Sequence, residues 1–365
     1  MKFKSKLFYV RRKTVISFSI AVLSITLLCK FLSLANIENG LSTIANNKDF
    51  GKAVLNAELK NTVHSPSAYR IITSQSPLLA KNEVSVPEIQ YTPWQLQLAD
   101  GKTFPIKTLS VNPTSPKGYV NLGKIYLKND SSKQIDLNWY LKSELPFKLS
   151  GSGAHVLIVH THGSESYTSS GKNTYTTEDV DRTTDTRYNV VRVGDEIEKI
   201  LKKKGISVIH DRNIYDNPSY SGSYTRTLDA IGNHMKKNPG IKVILDIHRD
   251  SICTDDGTKY KTLANVGGKD CAQLMLVLST GESGLPHPDW QENLKLGVKL
   301  QCQIANKYPG LMRPINLRRE RFNMHVTTGS LLVEVGSSAN TLDEALIAIR
   351  PFAEELASLL LTVKK

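Results

Sequence analysis

The sequence predicts an α/β domain, a mostly parallel sheet flanked by helices, with an N-terminal transmembrane helix and a stalk ahead of it. Three observations lead there. Short continuous apolar runs of strand length recur from His155 onward. Segments with apolar residues at helical spacing separate them. One longer apolar stretch stands behind a basic cluster near Met1.

That stretch, residues 14–35, reads TVISFSIAVLSITLLCKFLSLA, with Lys30 as its one charge. It is long enough to cross a ~30 Å hydrocarbon core as a helix. Lys2, Lys4, Lys6, Arg11, Arg12 and Lys13 precede it and, by the positive-inside rule, stay cytoplasmic while the main domain lies outside. Its length favours a retained anchor, although Ser33-Leu34-Ala35 keeps a cleaved signal peptide open. Residues 36–117 read as a stalk, because Ser-Pro-Ser at 65–67, Ser-Pro at 76–77, Thr-Pro-Trp at 92–94 and Pro-Thr-Ser-Pro at 113–116 interrupt any regular element. The expected division is a basic segment 1–13, an anchor 14–35, a stalk 36–117 and a catalytic domain 118–365.

Within that domain residues 133–147 read as a short helix, then strands and helices alternate. HVLIVH (155–160) is a buried strand, and 188–204 a helix with Val190, Val193, Ile197, Ile200 and Leu201 on one face, ended by Gly205. A strand at 206–210, a helix at 223–237 and strands at 241–247 and 272–279 follow, then a helix at 289–307, a strand at 331–335 and a last helix at 341–361 capped by Asn340 or Thr341. Strands separated by helices pair in parallel, and such sheets place their chemistry outside the carboxyl ends of the strands.

Composition narrows the function. The 365 residues are 40% hydrophobic and 22% charged, ordinary for a globular chain. Four cysteines without CxxC spacing argue against a cysteine-bound metal, and beyond Cys29 they leave room for one disulfide at most. The net charge of +13 includes a patch at Arg313, Arg318, Arg319 and Arg321. It suits an anionic polymer such as a cell wall, or a plainly solvated surface. No nucleic-acid-binding motif accompanies it.

Three strand ends carry reactive side chains: His160-Thr161-His162-Gly163-Ser164-Glu165, His248-Arg249-Asp250, and Glu334. Two histidines, a carboxylate ligand and a further carboxylate as general base are what a catalytic Zn2+ site needs. His162 is nearer the crevice and is followed by Gly163, which allows a sharp turn, so His162 is expected as the ligand and His160 as its support. The third ligand is left open between Glu165, three residues after His162, and Asp185, ahead of the helix at 188–204. Arg249 is a candidate to hold a substrate carboxylate or an oxyanion, or else to pair with Asp250 or another acid. Asp246 could orient a histidine; Tyr167 and Tyr224 line the groove or simply pack.

Together, His160-Thr-His-Gly-Ser-Glu-Ser-Tyr167, Tyr188-Asn-Val-Val-Arg-Val-Gly-Asp195, Leu245-Asp-Ile-His-Arg-Asp250, Tyr220, Tyr224-Thr-Arg226 and Glu334-Val-Gly-Ser-Ser-Ala-Asn-Thr-Leu-Asp-Glu344 resemble the stage II sporulation protein P family over roughly residues 118–365. That family is similar to zinc-dependent N-acetylmuramoyl-L-alanine amidases. The resemblance implies an amidase-like (phosphorylase/hydrolase-like) fold, His162, His248 and a carboxylate on zinc, and Glu334 as the catalytic residue. The amidases carry the ligand glutamate four residues before an asparagine, where this chain has Asp185 before Asn189. The resemblance also implies peptidoglycan hydrolysis at the glycan–peptide amide and within stem-peptide cross-links during forespore engulfment, with stage II sporulation proteins D and M as partners. Two rivals stand beside it: a carboxypeptidase-type zinc peptidase, which would use Glu165, and a non-catalytic wall-binding protein, which would need no metal.

Overall fold

The computed structural model describes residues 103–364, apart from residues 152, 177, 178 and 180. The expected basic segment, the anchor and the stalk up to residue 102 lie outside the described residues. Among the described residues no helix is long and apolar enough to cross a membrane.

The chain runs β1 (Thr103–Leu109), β2 (Val120–Leu122), β3 (Ile125–Asn129), α1 (Leu137–Lys142), β4 (Val156–Val159) and β5 (Thr174–Thr176). It continues α2 (Val190–Lys203), β6 (Val208–His210), α3 (Ser223–Lys237), β7 (Val243–Asp250), β8 (Lys259–Val266) and β9 (Lys269–Ala272). Then come β10 (Leu274–Ser279), α4 (Trp290–Lys307), β11 (Ile315–Arg318), β12 (Gly329–Ser337) and α5 (Leu342–Leu361).

Eight strands form the main sheet in the order β2-β3-β11-β10-β12-β7-β4-β6. Five of its seven neighbouring pairs are parallel; β2–β3 and β10–β12 are antiparallel. The sheet is therefore mixed, mostly parallel as expected but with a reversal at its centre. β4 and β7 are buried along both faces, which is why they read as unbroken apolar runs. Residues of α1, α2, α4 and α5 join one large apolar cluster on one face. On the other face α3 contributes Ile231 to a small cluster with Leu157, Val159, Ile241 and Ile244. Val326, from a short 3-10 turn at Met324–Val326, packs against that small cluster, and a pocket opens on the same face, over β12, β10 and β11.

A second sheet, β5-β1-β8-β9, was not foreseen. Its first strand falls in the stretch read as stalk: residues 106–109 pair in parallel with residues 259–262 of β8. Folded structure thus begins before residue 118. β1 alternates buried Phe104 and Ile106 with exposed neighbours, a half-buried strand that contains Pro105 and has no continuous apolar run to mark it. Cys253, Cys271 and Cys302 are all free.

Local chemistry sets the helix starts. The Asn189 side chain accepts from Val191 N at 3.0 Å and donates to the Thr183 carbonyl at 2.9 Å. It caps α2 and pins the loop before it, a role worth ~1 kcal/mol. α5 opens with a reciprocal capping box between Thr341 and Glu344. Beyond Glu334 the β12–β7 register shifts, and Gly336 takes φ 68°, which admits the irregularity. Asn340 then ties this end of β12 to β8, accepting from Ser337 N at 2.9 Å and Thr262 N at 3.1 Å.

Candidate active site

The site grows from the carboxyl ends of β4, β7 and β12. Glu334 lies directly across the ladder from His248. On β7 the side chains of Asp246 and His248 share one face, being two residues apart. His248 Nε2 sits 3.0 Å from Asp246 Oδ1, close but poorly aligned for a hydrogen bond. Its Nδ1 lies 3.4 Å from Glu165 Oε2. Burial disfavours charge on His248, but the carboxylates Asp246 and Glu165 outweigh it and raise the imidazole well above its ordinary value. Burial also opposes charge on Glu165, yet His248, Arg249 and Arg182 hold its carboxyl below the usual range.

After β4 the chain turns sharply through Thr161–Ser164, and two carboxylates fix the turn. Asp246 accepts from Thr161 N at 2.9 Å and from its hydroxyl at 2.6 Å. Asp216 accepts from Ser164 N at 3.0 Å and its hydroxyl at 2.5 Å, and pairs with Arg182 at 2.6 Å. Arg182 also reaches Glu165 at 3.6 Å and lies over the Tyr220 ring. His162 stacks on Tyr220 with ring centres 4.1 Å apart, meets Tyr224 edge-on, and approaches Ser223 Oγ with Nδ1 at 3.4 Å. Burial keeps His162 well below its ordinary pKa, so it is a neutral nitrogen donor. The His162 and His248 rings are 5.2 Å apart.

His160 faces the other way, because the chain leaves β4 after Val159 and turns at Thr161–Ser164, so strand alternation does not carry on to His162. Its Nε2 meets His210 Nε2 at 2.8 Å and its Nδ1 the Ile247 carbonyl at 3.2 Å. Burial, with His210 next, lowers it to about 3. Gly194 of α2 lies against this pair: a Cβ there would stand 2.5 Å from His210 Nε2 and 2.8 Å from His160 Nε2.

Of the two rival carboxylates, Glu165 is the one beside His248. Its carbonyl accepts from Val190 N, and Ser164 and Ser166 are laced to Thr183 and Asp181, so the segment folds inward. Asp185 is not brought to the pocket. It belongs to the same loop but turns away, and Arg187 holds its carboxylate at 2.6 Å. The Arg187 hydrogen bonds lower the Asp185 carboxyl to about 2.

Arg249 lines the pocket but does not present a free clamp. Its Nε donates to the Ser166 carbonyl at 2.9 Å and its Nη2 to the Asp181 carbonyl at 2.5 Å, while its backbone N–H donates to Glu165 at 3.1 Å. It therefore fastens the loop bearing Glu165 to β7. Asp250 pairs instead with Arg313 at 2.7 Å. Tyr224 lines the cavity, whereas Tyr167 donates to the Val335 carbonyl and packs on the core. Arg182, Asp216 and Ser223 escaped the sequence reading, since they sit on loops or at a helix start with no periodicity to mark them.

Glu334 completes the cavity, which measures about 520 Å³. Its Oε2 is buried and has no hydrogen-bond partner. Burial, then the neighbouring Asp250 charge, pushes its carboxyl above the ordinary range. The donor set suits zinc: a neutral imidazole, a second imidazole backed by a carboxylate, and an ionised carboxylate beside it. His162, Glu165 and His248 are more widely spread than a closed coordination sphere. Among the described residues the trio whose ligand atoms all lie within 4.8 Å is Asp195, Glu198 and His210. There Arg212 Nη2 already bridges the two carboxylates at 2.7 and 2.5 Å, and that guanidinium supplies the cation.

The family described as stage II sporulation protein P matches the chain over residues 96–357. Stage II sporulation protein P of Bacillus subtilis (strain 168) is 28% identical over 210 residues, covering 54% of this chain and 49% of that protein. The alignment thus spans about half the length of that relative. Similar solved structures include N-acetylmuramoyl-L-alanine amidase AmiC2 of Nostoc punctiforme, 14% identical with a TM-score of 0.32 over 58% of this chain and 98% of that one. Another is the CwlD amidase from Clostridioides difficile in complex with the GerS lipoprotein, 12% identical with a TM-score of 0.33 over 58% of this chain and 95% of that one.

Proposed function

Because this chain belongs to the stage II sporulation protein P family, we propose that its pocket hydrolyses peptidoglycan, at the N-acetylmuramoyl-L-alanine amide and within stem-peptide cross-links, with a bound zinc ion. The observation that carries the reading is the convergence of His162, Glu165 and His248 on one cavity wall, with the unpartnered Glu334 Oε2 across the ladder from His248.

His162, Glu165 and His248 would hold the metal. A zinc ion bound there would supply a Lewis acid for the scissile carbonyl and lower the pKa of water to near neutrality. The protein supplies the rest. Asp246 and Ser223 fix the two imidazoles. Arg249 and Arg182 hold the Glu165 carboxylate ionised and in place. Glu334, free of hydrogen bonds at Oε2, takes the proton from the attacking water and returns it to the leaving amine. A carboxyl whose pKa stands near the working pH suits both halves of that exchange. The setting proposed is the outer face of the membrane during forespore engulfment, with stage II sporulation proteins D and M as partners.

The placement of Glu165 also fits a carboxypeptidase-type site, which is the second reading. Digestion of purified peptidoglycan by zinc-loaded protein separates them. New L-alanine amino termini and opened cross-links are expected; release of free C-terminal residues alone would overturn the amidase reading in favour of its rival, and no products would overturn both.

A further inference from the structure

The cavity extends well past the histidines. On its face of the sheet, register places Asp246, Leu332, Val277, Asn316 and Lys128 in one row across β7, β12, β10, β11 and β3. The neighbouring row holds His248, Glu334 and Met275. Arg318, two residues beyond Asn316 on β11, shares its face. All of these except Asp246 line the one cavity. Met275, Val277 and Leu332 form an apolar floor between a catalytic end and a cationic end.

The charges are sorted along this floor. The cavity's carboxylates stand at the catalytic end, where Glu165 and Asp181 contact Arg249 and Asp250 contacts Arg313. At the far end the charged side chains lining the cavity are Lys128 and Arg318. Arg318 Nε is engaged by Glu320 at 3.2 Å, which leaves the terminal N–H groups of the fork for an incoming anion. Lys128 Nζ stands 3.3 Å from Asp130, both partly exposed, a pair too weak to exclude a competitor. Between them Asn316 Oδ1 is buried with no hydrogen-bond partner. Turning that amide puts its N–H groups inward, and an anionic oxygen would satisfy them.

We propose that Lys128, Asn316 and Arg318 form a subsite for a free carboxylate on the peptide substrate. The proposal rests on the hydrolase reading above and deepens it. Strands lie ~4.8 Å apart and rise ~3.3 Å per residue, so two strand steps and two residues put Asn316 on the order of 12 Å from Glu334. Roughly three to four residues of extended peptide cover that distance. The subsite therefore reads a carboxylate several residues from the cleaved bond, not the terminus beside it. It also divides the arginine-rich stretch. Arg318 faces the cavity, while Arg319 turns to solvent near Glu282 at 3.8 Å.

The test compares an N-acetylmuramoyl pentapeptide with free carboxylates against the same compound after conversion of its carboxylates to primary amides. Binding to the full chain is measured by calorimetry, and cleavage is followed separately. The free acid should bind at least tenfold more tightly. A Lys128→Gln/Arg318→Gln double variant should reduce that ratio to about twofold, and Arg318→Lys should keep most of it. Equal binding of the two compounds by the wild-type chain, or an unchanged ratio in the double variant, would overturn the subsite. Absence of cleavage alone would count against the hydrolase reading and leave the binding ratio to decide the subsite.

Discussion

Asp246 Oδ1 lies 3.0 Å from His248 Nε2 and also accepts the Thr161 backbone N–H at 2.9 Å, so one carboxylate orients a histidine and fixes the turn that delivers the other. Replacing it loosens both donors at once. Asp246→Ala should weaken zinc affinity roughly 10–100-fold, the usual effect of removing a group that orients a metal-binding histidine. Competition with a chromophoric chelator checks it; unchanged affinity would remove Asp246 from the site.

Glu334 is the complementary case, a side chain whose local fit is poor. Its buried Oε2 has no partner, and burial raises its carboxyl above the usual range. Glu334→Gln should lower turnover roughly 10²–10⁴-fold, while zinc binding stays intact and the thermal midpoint stays at or above wild type. A lower midpoint with loss of zinc would mean that Glu334 is structural.

The Asp216–Arg182 pair should behave in the opposite sense. Asp216 has a fully buried side chain and holds Ser164 as well as Arg182. Asp216→Ala leaves a guanidinium and a backbone N–H without their acceptor, so it should cost about 3 kcal/mol in urea unfolding. A loss under ~1 kcal/mol would show that water replaces the carboxylate easily.

Acid should destabilise the fold through two histidines that do not line the pocket, His287 and His325. Burial lowers His287 to about 4, and its Nε2 meets Asn293 Oδ1 at 3.0 Å. Asn293 donates to the Thr327 and Ser330 carbonyls, so its oxygen faces the ring and Nε2 carries the proton. Burial, then Arg321, lowers His325 to about 4 as well. Between pH 6.5 and 4 the unfolded chain binds protons at both positions that the folded chain refuses. The contribution of these two histidines is therefore complete above pH 6.5 and is lost as pH drops toward 4, with each tenfold difference in proton affinity worth ~1.4 kcal/mol. His287→Gln should flatten the unfolding free energy across that window. An unaltered slope would show that His287 does not carry the effect.

Gly194 offers a steric test. A methyl group there meets the His160–His210 contact at 2.5–2.8 Å. Gly194→Ala should cost about 1–3 kcal/mol despite its better helix propensity. A gain in stability would show that the two rings can move aside.

Much of the scaffold was legible because burial writes itself into composition. β4, β7 and β12 are buried on both faces, and HVLIV, VILDI and LLVEV carry that directly. The helical spacing over 223–237 matches α3 at both ends, and Thr341 caps α5. The second sheet was not legible, since β8 reads KYKTLANV, whose buried positions are the polar Lys259 and Thr262 and which carries no continuous apolar run. Nor could sequence spacing decide between Glu165 and Asp185. That choice depends on the turn held by Asp246 and Asp216, which come from 85 and 52 residues away along the chain. The antiparallel β10–β12 pairing is equally non-local.

That pairing separates two kinds of heritable change. Because β10, β11 and β3 run against β12 and β7, His248 and Glu334 on one side and Lys128 and Arg318 on the other belong to strands that end at opposite edges of the sheet. Under the proposed function, substitutions at the far edge would retune which substrate is accepted while the histidine edge keeps its geometry. The reversal would then make recognition and catalysis separately evolvable on one continuous surface.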